Sequence, residues 1–157
     1  MITLKEVRPE DRELLWNINQ KYLYEMTNFY DNEMDEKGNI HYGYFDAYFT
    51  DPKRKAFFIS SDEQLCGFVF INPYSLTGGT PDYVMAEFTV FPVFRRKHIA
   101  KEAVRVIFRQ FPGRWEIKYN EKNIPAKNLW NQLTAKYSPD KVHLNENETV
   151  LVFTVHS

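Results

Sequence analysis

One cysteine, Cys66, in 157 residues rules out an internal disulfide framework; inside the apolar run around it, a lone thiol reads as a small buried hydrophobe. No apolar stretch approaches the length of a membrane span, and the segment from Met1 to Asp11 is too charged for a signal peptide, so the expectation is a cytoplasmic protein with no membrane partner. Charge of either sign is not in excess: 20 Lys and Arg against 21 Asp and Glu leave a net of −1. Such a chain has no global field for nucleic acid, and any basic feature must act locally. His41, His143 and His156 are scattered without ligand spacing, and no Ser-His-Asp or Cys-His arrangement stands out, so no metal is expected. The glycine patterns of Rossmann and Walker phosphate loops are missing as well. So are repeats, low-complexity tracts and linkers, which points to one domain over residues 1–157.

Aromatic residues are abundant, at 17% with ten tyrosines. Some fill a core, and the rest suit a pocket walled by rings with hydroxyls at their tips. Ile2, Leu4 and Val7 form a first strand. Pro9 opens a helix whose inward face is Leu14, Leu15, Ile18 and Tyr22. From Asn28 to Tyr48 the periodicity blurs into irregular structure or short helical turns. Ala56–Ser60 and Leu65–Ile71 flank a polar turn and fit an antiparallel hairpin. Tyr83–Phe91, ended by Pro92, is the central-strand candidate. A helix carrying Ile99, Ala103, Val106 and Ile107 follows, up to Phe111-Pro112-Gly113. Trp115, Ile117 and Tyr119 then alternate with Arg114, Glu116 and Lys118 as a strand, parallel to the one before by crossover. A helix from about Asn123 to Tyr137 and a closing hairpin over Val142–Leu144 and Val150–Val155 complete the chain.

A strand that stops at Pro92 and turns into a helix aims unpaired N–H groups and a positive dipole end at one point, which suits a phosphate. Arg95, Arg96 and Lys97 stand at that turn and add formal positive charge. A solvated surface cluster is the plainer reading of such a run. Against it, cations at a helix N-terminus oppose the dipole, at a cost of a few tenths of a kcal/mol each.

The segment from Val90 to Ala100 resembles the acyl-CoA-binding motif of the GNAT superfamily of N-acyltransferases, Val-x-Pro-x-x-Arg-x-x-Gly-x-Gly/Ala. Val90, Pro92, Arg95 and Ala100 match it, and His98 stands where the first glycine is usual. Asn123, Ala126 and Trp130 meet a second element, Asn-x-x-Ala followed by an aromatic, and Phe111 to Glu116 resembles a subgroup of predicted bacterial acetyltransferases. The resemblance covers nearly the whole chain. It implies an α/β (α+β) fold: a mixed, mostly antiparallel sheet of about six to seven strands with a central parallel pair, flanked by about four helices.

The resemblance also implies an acetyl-CoA-dependent N-acetyltransferase acting by direct attack of a primary amine, on a small-molecule or peptidyl acceptor that the sequence does not identify. Acetyl-CoA is the cosubstrate. Phe88 and Val90 would pair with its pantetheine, with the Val90 N–H polarising the thioester carbonyl. Arg95, Arg96, Lys97, His98, Ile99, Ala100 and Lys101 would hold its phosphates, while Asn123, Ala126, Lys127 and Trp130 would face it from the later helix. Glu87 is the first candidate for general base, its pKa raised by desolvation between Met85 and Thr89. A glutamate on a wet strand face fits the same pattern. Tyr24, Phe29, Tyr30 and Tyr44 are the acceptor-site candidates, in a cluster with Tyr22 and Tyr42 suited to an amphipathic or cationic amine. Trp130 occupies the place where relatives carry a tyrosine acid. Together with His98 it motivates the alternative of a catalytically impaired acyl-CoA-binding module. Monomer and homodimer are both compatible with the sequence.

Overall fold

The computed structural model describes residues 1–157. Its strands are β1 Ile2–Glu6, β2 Lys55–Ser61, β3 Gln64–Asn72, β4 Tyr83–Val90, β5 Gly113–Asn120, β6 Asp140–His143 and β7 Glu148–Val155. Its helices are α1 Arg12–Met26, α2 Ala47–Thr50, α3 Ile99–Gln110 and α4 Ile124–Thr134. The strands make one sheet of order β1-β2-β3-β4-β5-β7-β6, and only the β4–β5 pair is parallel. The mixed sheet, the central parallel pair and the four helices are as the sequence predicts.

The central strands read as unbroken apolar runs because both of their faces are covered. Phe57 and Ile59 of β2 and Val69 and Ile71 of β3 pack in a core with Ala103, Val104, Ile107 and Phe108 of α3. The intervening residues Ala56, Phe58, Phe68 and Phe70 pack in a second core with Leu15 and Ile18 of α1 and with Phe45 and Tyr48. This alternation of destination, rather than of polarity, is the signature of a strand buried on both sides. The β2–β3 turn places Asp62 and Glu63 at positive φ, as a two-residue hairpin whose twist matches its strands requires. Leu14, expected on the inward face of α1, is 44% exposed; the buried stripe is Leu15, Ile18, Asn19 and Leu23.

Two departures from regular pairing shape the middle of the sheet. Phe70 pairs with Glu87 but Ile71 pairs with Met85, so Ala86 is an extra residue in β4, a bulge. The parallel pairing of β4 with β5 covers only Tyr83–Met85 against Trp115–Ile117. Beyond the bulge the two strands diverge, and a cleft opens between them.

Candidate active site

The cleft has a volume of about 1380 Å³, and its walls are the diverging halves of β4 and β5, the start of α3, α4, the end of α1 and the loops around Tyr42 and Tyr74. Backbone polarity follows from strand alternation. The Phe91 N–H is donated to the Cys66 carbonyl on β3 at 2.7 Å, so the N–H groups of Phe88 and Val90 point the other way, toward the gap that β5 has left. The Val90 carbonyl faces the same gap, where it accepts from Nε of Arg95 at 2.8 Å.

Glu87 lies on the opposite face of the sheet from the α3 core. Its carboxylate accepts hydrogen bonds from the Tyr22 hydroxyl on Oε1 at 3.0 Å and from the Tyr42 hydroxyl on Oε2 at 2.9 Å. Burial raises its pKa above the usual carboxylate range; the two tyrosine hydrogen bonds and the charge of Lys118 oppose that shift without cancelling it. Burial and the adjacent carboxylate push both phenols up, so they remain protonated donors. The bulge changes the neighbours expected for Glu87. With Ala86 inserted, Met85 falls on the α3 face beside Ile71, and Phe68 and Phe70 take its place in drying the carboxylate. Lys118 on β5 is half-buried and pairs with Glu148 at 2.8 Å, and the Tyr30 hydroxyl donates to the same carboxylate at 3.2 Å.

At the other end of β4 the chain makes a 3-10 turn over Pro92–Phe94 and then an irregular stretch to His98 before α3 begins at Ile99. The direct strand-to-helix turn expected from the sequence is therefore stretched. Arg96 at φ 64° and His98 at φ 60° are both left-handed, and His98 is the N-cap of α3. The cost for an L-residue there is about 1–2 kcal/mol. Glycine, which would adopt that backbone freely, is the residue usual at this place in the resembling motif. The first N–H groups of α3 open into the cleft with Ile99, Ala100 and Lys101.

A model of the acetyltransferase (GNAT) family matches residues 15–134. The chain belongs to that family. No curated protein matches the sequence. Among solved structures it is similar to an acetyltransferase from Thermus thermophilus, at 15% identity with a TM-score of 0.70, covering 98% of this chain and 97% of the other. It is also similar to the ribosomal-protein-S18-alanine N-acetyltransferase of Escherichia coli, at 10% identity and TM-score 0.64, covering 100% and 96%. A third is Arabidopsis thaliana NAA60 in complex with acetyl-CoA, at 14% identity and TM-score 0.61, covering 99% of both chains.

In this GNAT chain most of the residues singled out from the sequence line the one cleft: Glu87, Phe88, Val90, Arg95, Arg96, His98, Ile99, Ala100, Lys101, Asn123, Ala126, Trp130, Phe29, Tyr30 and Tyr44. Three do not. Lys97 is directed to the ring of Phe94, Lys127 is paired with Glu121 at 2.7 Å, and Tyr24 is 62% exposed. Arg95 lines the cleft but is engaged from within the chain, bidentate on Glu25 of α1 at 2.6 and 2.7 Å. The charge that faces the cleft freely at this end thus comes from Arg96 and Lys101 rather than from the whole Arg95–Lys97 run. Asn123 caps α4, its Oδ1 accepting from the Ala126 N–H at 3.3 Å. Trp130 is buried edge-on to Phe88 at 5.3 Å.

Several residues gain meaning only from the fold. Glu116, part of a polar alternation in the sequence, is 1% exposed. It accepts from Ser75 Oγ, the Leu76 N–H and Thr77 Oγ1 at 2.7, 2.6 and 2.9 Å, and so ties the loop before β4 to β5. Tyr22, expected on the inward face of the first helix, and Tyr42, expected in the aromatic cluster, share a target, Glu87, that is 65 and 45 residues away. No group of three or more His, Cys, Asp or Glu side chains converges as a metal site would require, and no helix is long and apolar enough to cross a membrane.

Proposed function

We propose that this GNAT chain is an acetyl-CoA-dependent N-acetyltransferase that acetylates a primary amine of a small-molecule or peptidyl acceptor by direct attack. The observation that carries the reading is Glu87, a carboxylate of raised pKa clamped by two phenols at the edge of the gap between β4 and β5. Acetyl-CoA supplies the acyl group as a thioester. The residues present fit it: an unpaired strand edge with the N–H groups of Phe88 and Val90 for an amide-bearing arm, and the open start of α3 with Arg96 and Lys101 for phosphates.

An amine is protonated at neutral pH and cannot attack until it loses a proton. Glu87, with its affinity for protons increased by burial, takes that proton. The Val90 N–H stabilises negative charge developing on the carbonyl oxygen, as a donor fixed in the strand before reaction. The nitrogen–carbon bond forms, the carbon–sulfur bond breaks, and the second proton that the acylated nitrogen sheds passes through water to the leaving thiolate. The indole N–H of Trp130 is too weakly acidic to protonate it, and its place is a packing wall. This absence of a side-chain acid and the strained His98 favour a second reading, a domain that binds acyl-CoA without transferring the acyl group.

Thiol release from acetyl-CoA, followed across a panel of primary amines, separates the two. The transferase reading expects at least one amine to raise release above the blank, and Glu87→Gln to lower it by about 10²–10⁴-fold. CoA binding with no amine-dependent release sinks the transferase reading and leaves the binding module, while amine-dependent release indifferent to Glu87→Gln removes Glu87 as the base.

A further inference from the structure

Glu87 and its two tyrosines leave one end of the cleft unexplained. The same cavity is lined by Arg54, on the turn between α2 and β2, with its side chain 11% exposed. Its guanidinium stands over three rings, with Cζ 4.7 Å from the centre of Tyr44, 4.6 Å from that of Tyr74 and 5.4 Å from that of Tyr48. Nε is buried and makes no hydrogen bond; it approaches Asp51 Oδ2 at 3.3 Å without the alignment a bond needs. The Asp51 carboxylate is already used, accepting from the Tyr74 hydroxyl on Oδ2 at 2.5 Å and from the Lys53 N–H on Oδ1 at 2.9 Å.

Burying a guanidinium is expensive unless its donors are satisfied. Here Tyr44 and Tyr74 stand against the guanidinium, its Nε side is turned to Asp51 and the Tyr48 hydroxyl accepts from it, so the donors that remain are the outer N–H groups of the Nη pair. Two parallel N–H donors on that outer edge have the geometry that a carboxylate matches with two oxygens. A phosphate can match the same fork with two of its oxygens, but its second charge would meet the Asp51 carboxylate. Tyr44 and Tyr74 are 62% and 44% exposed, so the slot is reached from outside the protein.

We propose that the Nη edge of Arg54 docks a carboxylate of the acceptor, which makes the acceptor a small amine of the amino-acid class, held by its acid at the Tyr44–Tyr74 slot with its amine toward Glu87. The inference rests on the N-acetyltransferase reading and narrows it. Arg54 is a specificity-determining residue, with no part in proton transfer.

The test pairs each of the common amino acids with its carboxamide, and β-alanine with 2-aminoethylphosphonate. Each pair is measured by thiol release and, without turnover, by ligand-observed NMR on the full chain. The expected result is at least one acid preferred over its amide by roughly ten- to a hundredfold in kcat/KM, the worth of a charge-assisted pair. In Arg54→Met that ratio falls to about one, and in Arg54→Lys, which keeps the charge but loses the fork, it falls between. A ratio within one protein is unmoved by a general loss of activity, and the wild-type ratio needs no variant at all. Acids and amides used or bound alike, a phosphonate preferred over its carboxylate, or no acid bound, each overturns the inference. Turnover of other amines, such as diamines or peptides without a nearby acid, would leave the transferase reading standing while this inference falls; no turnover of any amine would remove both.

Discussion

Removing one hydroxyl from the Glu87 clamp should move the pH dependence of the reaction in a direction that the geometry fixes. The Tyr42 hydroxyl donates to Glu87 Oε2 at 2.9 Å and the Tyr22 hydroxyl to Oε1 at 3.0 Å, and both bonds favour the ionised carboxylate against the burial that disfavours it. A hydrogen bond to a charged group is worth about 1.5–3 kcal/mol, and the cleft is open to water on one side, so the lower value applies. With about 1.4 kcal/mol for each factor of ten, Tyr42→Phe should make Glu87 about tenfold harder to ionise. The assay is kcat/KM from about pH 5 to about pH 9 with the same amine for wild type and variant, so that the acceptor's own proton weighs alike on both profiles. On the acid limb the variant should run about tenfold slower at equal pH, and at the alkaline plateau the two rates should meet. Tyr22→Phe should act alike through the other oxygen. A profile that stays in place, or moves to lower pH, refutes Glu87 as the base. Stability supplies an independent sign. Since burial raises its folded pKa, the stability Glu87 contributes is present at acid pH and is lost as pH rises through that pKa. Glu87→Gln should therefore gain on wild type with rising pH in urea melts.

Two further outcomes follow from the backbone and the buried carboxylate. His98→Gly relieves a left-handed cost of about 1–2 kcal/mol and adds unfolded-state entropy of about 0.5–1 kcal/mol, so a net gain of about 0.5–1 kcal/mol is expected in urea denaturation, with acetyl-CoA bound at least as tightly. Loss of both would show that the imidazole holds the ligand. Glu116→Ala leaves the Leu76 N–H and two hydroxyls without their acceptor, which should cost about 2–4 kcal/mol and raise KM for the acceptor more than for acetyl-CoA, because the freed loop carries Tyr74 and Leu76 into the cleft. Equal rises in both KM values would mean that the loop does not shape the acceptor end.

How far the sequence reached depended on whether a feature was local. The hairpin of β2 and β3, the apolar stripe of α3 and the start of α4 at Asn123 each come from a few neighbouring residues, and they stand where the sequence pattern puts them. Glu87 was legible as a carboxylate on the central strand. Its face was not, because a bulge at Ala86 leaves no mark in Met85-Ala86-Glu87-Phe88 yet changes which neighbours it meets. Arg95 reads as a phosphate ligand until α1 brings Glu25 to it from 70 residues away. Glu116 fits a clean alternation, and only the Ser75–Gly79 loop folding over β5 makes it a buried anchor. Arg54 sits in Asp51-Pro52-Lys53-Arg54, a sequence that reads as a surface turn until three tyrosines from separate segments close around it.

For Glu87 and the Val90 N–H to act on one thioester, acetyl-CoA must lie in the gap between β4 and β5. Hydrogen exchange at single-residue resolution, with and without acetyl-CoA, reads that gap directly. The N–H groups of Phe88 and Val90 lie past the last β4–β5 pair, Met85 with Ile117, so they should exchange freely in the protein alone and slow sharply when acetyl-CoA is added, together with Ile99 to Lys101 at the start of α3. Unchanged exchange at Phe88 and Val90, with protection appearing elsewhere in the chain, would contradict it.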